Sequence, residues 1–294
     1  MRSSRRQPQG RVNAPKDWGS RGLALFIKDG CRRDGGALRR CPGQQIRLRR
    51  AASALAVRTG RPVAEGPLRE PSTDNAWFSH VAFPGDADFE DANFTGDAGF
   101  GNVTFTGNAR FSSAAFTGNA WFSDATFTHD ADFDHLTFAR DAQFSGARFE
   151  RAPFLGPLNC GPLLNLSEAI FSVPVTIQVA AEEVRCVRTR WDATVSLRLR
   201  YAKVDLSDAV VTQPTAVTTH PTPFPNMPAS DFTGEPTVKM TSLRGVDTAH
   251  LVLTDTDLSS CVFTGAFHLD QLRLAGRTQF ASVPTGIIRH ACCP

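Results

Sequence analysis

The sequence predicts an all-β solenoid, on three observations: a phenylalanine recurring at steps of five and six, a small residue two places before it, and turn chemistry after it. Fifteen phenylalanines run from Phe78, Phe83, Phe89 and Phe94 through Phe144, Phe149 and Phe154, and only the last step breaks the alternation. The residue two places earlier is Ala in twelve cases and Val81, Val103 or Leu136 in the others. The two steps sum to eleven, as in FTGDAGFGNVTFTGNARF from Phe94 to Phe111.

An eleven-residue apolar period also describes a right-handed helical supercoil. Composition excludes it, because Gly96, Gly107 and Gly118 would sit within the helix at about 1 kcal/mol each. Apolar residues at i and i−2 with a polar residue between them belong instead to one side of an extended segment. The punctuation that follows, Thr-Gly-Asp or Thr-Gly-Asn, is corner chemistry: glycine permits positive φ, and Asx side chains bond nearby backbone. Each half-repeat is therefore read as a very short strand and a corner, with Asp86, Asp97, Asn108, Asn119, Asp130 and Asp141 as Asx-turn residues.

With the small residue, the Phe and this spacing in view, residues 76–154 resemble the pentapeptide-repeat proteins, whose unit reads Ala-(Asp/Asn)-(Leu/Phe)-x-x. The resemblance implies a right-handed, quadrilateral parallel β-helix with the Phe and its i−2 partner inside. Family members step by five throughout, whereas four sides of 5, 6, 5 and 6 residues make a coil of 22 here.

A degenerate form of the frame continues downstream. Steps of five from Leu166 pass through Phe171, Thr176, Ala181, Cys186, Trp191, Ser196, Tyr201, Leu206 and Val211, with Pro174, Val184, Thr194 and Val204 among the i−2 partners. A third run passes through Leu243, Thr248, Leu253, Leu258, Phe263 and His268. Five prolines from Pro214 to Pro228 separate the two, and proline cannot donate to a central ladder, so a loop is expected there. The expected organisation is a basic arm over 1–73, regular coils over 74–156, degenerate coils over 157–211, a loop over 212–237, further coils over 238–276 and a non-repeat tail over 277–294. That makes about eight coils and, at ~4.8 Å each, a rod roughly 40 Å long. Its end coils carry unpaired edges that need a cap or a partner, so self-association through them is expected.

Charge is unevenly placed. Residues 1–70 hold seventeen Lys and Arg against five Asp and Glu, whereas residues 74–156 hold four against twelve. The arm has little apolar periodicity and reads as disordered, or as an open reading frame whose true start lies downstream. Nothing in it is an apolar secretory core, and no stretch reaches the ~20 apolar residues of a span. The seven cysteines include no Cys-x-x-Cys pair and no His at ligand spacing, and Cys186 and Cys261 fall on inward positions of the repeat. Unpaired core thiols place the chain in a reducing cytoplasm. No nucleophile elbow, zinc helix or phosphate loop occurs, so the chain reads as no enzyme, with no cofactor and no metal.

A 22-residue coil turns sequence separation into columns, and two of these carry the candidate surface. Asp88 and Glu90 flank Phe89, Arg110 and Ser112 flank Phe111, and Asp132 and Asp134 flank Phe133, which makes one side acidic with an internal counter-ion. Another column reads Trp77, Gly99, Trp121, Gln143 and places two outward indoles about 10 Å apart across a gap. The expected function is a non-catalytic scaffold or protein-interaction module with an unidentified protein partner and no nucleic-acid binding by the repeat. The family resemblance offers an alternative, since some of its members mimic B-DNA and bind type II topoisomerases. Segments such as VTIQVAAEEVRC and FTGAFHLDQLRLAG also resemble an actinobacterial subgroup whose longer members carry C-terminal membrane-spanning helices. Membrane association through such a region is the alternative to a cytoplasmic location.

Overall fold

Corners every five or six residues leave room for strands of only two or three residues, so the backbone must find its hydrogen-bond partners in the neighbouring coils. It does. The computed structural model describes residues 75–227 and 232–282, with three two-residue strands, Arg33–Asp34, Ala37–Leu38 and Ile46–Arg47. The remaining expectations for 1–73 and for the end of the tail lie outside the described residues. From Asn75 onward the chain is a parallel β-solenoid in which Phe89 N–H donates to the Arg110 carbonyl and Phe111 N–H to that of Asp132, both at 2.7 Å.

Four faces follow one another around the coil. The first face begins with Ala76–Trp77 and gathers nine strands; the second begins with Ala82–Phe83 and gathers seven. The third, from Ala87–Asp88, has three strands in the coils and a fourth supplied by Ile46–Arg47. The fourth begins with Asn93–Phe94 and again gathers nine, which makes nine coils where about eight were expected. Residues 22 apart pair, as the two steps require: Ala87 with Ala109, and Phe94 with Phe116.

Inside, the phenylalanines form four ring columns. Phe89 stacks on Phe111 at 4.7 Å and 8°, and Phe100 on Phe122 at 4.8 Å and 3°. Adjacent columns meet edge to face, as between Phe100 and Phe111 at 5.3 Å and 88°. Both geometries suit the ring quadrupole. The i−2 alanines fill the space beside them, Ala98, Ala120 and Ala142 being fully buried.

Two corner expectations need correction. The corner glycines Gly85, Gly96, Gly107 and Gly118 do not have positive φ; that conformation belongs to the other corners, at His80, Asp91, Asn102, Ser113, Asp124 and His135. Glycine is needed for close approach instead, because a Cβ on Gly107 would lie 2.5 Å from the Gly85 carbonyl carbon. The Asx side chains likewise bond across coils rather than within one turn. Asp86 Oδ1 accepts from Asn108 N–H, and Asp97 Oδ1 from Asn119 N–H, each at 2.9 Å and 22 residues away.

The cross-section changes near residue 153. Phe154–Cys160 runs as one seven-residue strand into the fourth face, followed there by Val175–Ala180, Val195–Arg200 and Thr215–Thr219. The third face stops, the coil shortens to 20 residues, as between Glu168 and Arg188, and three faces remain. Two expectations fail here. Phe154 is 63% exposed while Leu155 takes the core position. On the long strands, strict alternation replaces the steps of five: Val175, Ile177 and Val179 point inward, and Thr176, Pro174, Ser196 and Thr194 lie outside the core. The steps of five hold at Phe171, Cys186, Trp191, Leu206 and Val211, which are buried, and fail at Tyr201, which is half-buried with positive φ, and at His268, which is exposed.

Thr215–Thr219, inside the stretch expected to be loop, is a strand of the fourth face. The excursion lies between it and Val238–Ser242 and stretches the spacing to 36, as between Asp208 and Arg244. It folds back on the rod, with Phe232 stacked on Tyr201 at 5.1 Å and Phe224 buried. The last described coil leaves Val262, Phe267, Leu269 and Leu274 exposed.

Candidate interaction surface

The acidic column stands as the 22-residue coil dictates: Asp88, Arg110 and Asp132 align in successive strands of the third face. Its carboxylates are not equivalent. Asp88 is only 8% exposed and accepts from Glu90 N–H at 3.2 Å, which corrects the expectation of a free outward carboxylate. Asp132 is exposed and accepts from Asp134 N–H at 3.0 Å; Asp134 in turn lies 2.9 Å from His135 Nδ1. Glu90 is exposed and Arg110 half-buried. In the coils this face comprises three strands, so its charge pattern is short.

The indole column differs more from expectation. Trp77 and Trp121 stack directly, with ring centroids 5.4 Å apart and planes 13° from parallel. Gly99, opposite both in the ladder, makes this possible: a Cβ there would stand 2.2 Å from Trp77 Cε3. The gap seen in the sequence is therefore the space into which the rings close. Below Trp121 the column becomes an amide ladder, where Asn165 Nδ2 donates to Gln143 Oε1 at 2.8 Å. The first face thus carries a flat, half-buried aromatic plate, with Gly99 between the rings and Gln143 next in the column.

One feature was missed from sequence. Where the third face ends, a cleft of about 480 Å³ opens, lined by Asp130, Asp132, Phe133 and Asp134 on one side and by Pro153, Phe154, Pro157 and Gln178 on the other. Its mark in the sequence is Phe154, where the alternation of five and six first breaks.

The titratable groups of the core are inert. Burial alone pushes the Cys160 thiol far above its usual value, and burial raises Cys186 to about 12 and Cys261 to about 11. Protonated thiols are poor nucleophiles and poor metal ligands. Among the described residues no group of three His, Cys, Asp or Glu is placed to hold a metal ion, and no helix is long and apolar enough to cross a membrane.

Residues 89–137 match the family model described as pentapeptide repeats, in nine copies. No curated protein and no solved structure matches the chain.

Proposed function

We propose, on the premise that this chain is a pentapeptide-repeat protein, that it is a non-catalytic scaffold whose flat faces bind a partner protein. The observation that carries this reading is the Trp77–Trp121 plate on a rigid ladder. Stacked rings over Gly99 give a flat aromatic contact whose geometry is set before any partner arrives. Aromatic residues are enriched at interface hot spots for this reason. The Phe columns beneath keep the face stiff, so binding costs little ordering entropy. The acidic residues Glu90, Asp132 and Asp134 on the third face steer the approach of a basic partner.

Mimicry of DNA would need a long run of exposed carboxylates to replace phosphates. Here the acidic face has three coil strands, its first carboxylate is buried and Arg110 stands in the middle. The interaction reading therefore ranks first. Capture from a lysate of the source cell, with the full chain as bait, tests it. A partner should be retained by the wild type and lost from Trp77→Ala/Trp121→Ala; retention by both would remove the plate from the interface.

A further inference from the structure

We infer that the open edge of the third face, at Ala131–Asp132, docks an extended basic segment of a partner protein, which adds to the sheet as a parallel strand. This deepens the interaction reading and rests on it.

The backbone makes the case first. On this face each coil donates to the next: Ala87, Phe89 and Asp91 N–H to the Asn108, Arg110 and Ser112 carbonyls, then Ala109, Phe111 and Ser113 N–H to those of Asp130, Asp132 and Asp134. The next donors in the series are the N–H groups of Ala131, Phe133 and His135. Among the described residues no carbonyl meets them. The chain that should supply one starts with Pro153 and leaves for the fourth face as Phe154–Cys160. Ala131 and Phe133 are themselves buried, so donors beside them lack full hydration and gain from an acceptor. Alternate N–H groups along an open strand are what an added β-strand pairs with.

The cleft then selects the occupant. It is a trough of about 480 Å³ with the exposed ring of Phe154 and Pro153 on its far wall, suited to an aliphatic side chain. Asp130, Asp132 and Asp134 line the near wall and favour Lys or Arg in the strand while repelling an acidic one. The opposite edge of the same sheet already carries an added parallel strand. Ile46–Arg47 pairs there in parallel, Ile46 in register with Ala87 and Arg47 with Asp88. The same two columns end at the open edge in Ala131 and Asp132. A strand alternating aliphatic and basic residues therefore matches both the ladder and the charge.

The test uses the full-length protein and a synthetic peptide of sequence Gln-Gln-Ile-Arg-Leu-Arg-Arg, which reproduces residues 44–50. Amide exchange is followed by NMR with and without saturating peptide. Exchange at Ala131, Phe133 and His135 should slow by about tenfold or more, the signature of new ladder bonds. The same peptide with Glu in place of each Arg should protect nothing. Affinity should fall at least about tenfold in Asp132→Lys/Asp134→Lys, with unchanged exchange at Phe111 as the check on folding. Unprotected edge amides at saturation, binding elsewhere, or equal protection by the acidic peptide would overturn the proposal. The peptide swap leaves the protein unaltered, so a misfolded lysine variant does not blunt the test. If a lysate partner is lost on replacing the two tryptophans while the edge stays unprotected, the edge proposal falls and the scaffold reading stands.

Discussion

Replacing Phe111 by Ala should destabilise the solenoid by about 4 kcal/mol, and replacing Phe154 by Ala should do almost nothing. Phe111 is fully buried at mid-stack. Its ring stacks on Phe89 at 4.7 Å and on Phe133 at 5.4 Å, and meets Phe100, Phe105 and Phe122 edge to face at 5.3, 5.8 and 5.3 Å. Losing about 150 Å² of buried apolar surface at ~25 cal/mol per Å² gives roughly 4 kcal/mol. The coils above and below are held by their own ladders and cannot close the cavity, which keeps the value within the usual range of about 3–5 kcal/mol. Phe154 carries the same ring at 63% exposure, so its removal should stay within about 0.5 kcal/mol. Leu155→Ala, by contrast, removes a buried side chain and should cost about 2–4 kcal/mol. Urea unfolding of the full chain, followed by far-ultraviolet circular dichroism, measures the midpoints; equal slopes are required before they are compared. Equal losses from Phe111→Ala and Phe154→Ala would refute the assignment of inside and outside.

Gly107→Ala puts a Cβ 2.5 Å from backbone and should cost about 1–3 kcal/mol, whereas Gly101→Ala, whose nearest neighbour is 3.6 Å away, should cost under about 1; melting temperatures separate them. Gly99→Ala drives a methyl between two indoles, so near-ultraviolet dichroism from the Trp77–Trp121 pair should change while the far-ultraviolet spectrum holds. The Cys186 thiol stands near 12 when folded against 9.0 in the open chain, so its contribution is full below pH 9 and is lost as pH rises towards 12. Urea midpoints at pH 8 and pH 10 should show that decline, and Cys160→Ala/Cys186→Ala should flatten it. The full chain should not inhibit gyrase supercoiling; salt-sensitive inhibition, abolished by Asp132→Lys/Asp134→Lys, would restore the DNA-mimic reading.

Spacing was a better guide than residue type wherever the two disagreed. The alternation of five and six puts the inward position after Phe149 six residues on, at Leu155, and the structure buries Leu155. Only the attraction of another phenylalanine argued for Phe154. Val175–Ala180, VTIQVA, alternates apolar and polar along its first five residues, a plain strand signal that counting in fives overrode. The ring columns and the alignment of Asp88, Arg110 and Asp132 were legible because both depend on the period alone. Two features were not. Which partner an Asx corner chooses depends on whether the neighbouring coil or its own turn lies closer, and here Asn108 N–H, one coil away, is within 2.9 Å of Asp86. The indole spacing depends on side-chain lean, since rings two strands apart can close over a glycine that leaves the space between them empty.

A solenoid without defects has little to offer along its sides, because every coil satisfies the donors of the one before it. Unpaired backbone is then confined to the two ends, or to a face that stops early. This chain has such a face. Phe154–Cys160 draws the backbone, and with it the carbonyls that should meet the Ala131 strand, away to the fourth face while the first and fourth faces run on to nine strands. The same event exposes Phe154, opens the cleft and leaves Asp132 and Asp134 at its lip. Three features that a partner strand would use thus share one cause. Pro153 is not that cause. Each coil of this face donates to carbonyls of the next, so an N–H restored by Pro153→Ala would point to the coil beyond and not to the Ala131 strand. Amide protection at Phe133 and peptide binding should therefore be unchanged in that variant, and a rise in protection at Phe133 without peptide would show instead that the proline holds the following segment off the third face.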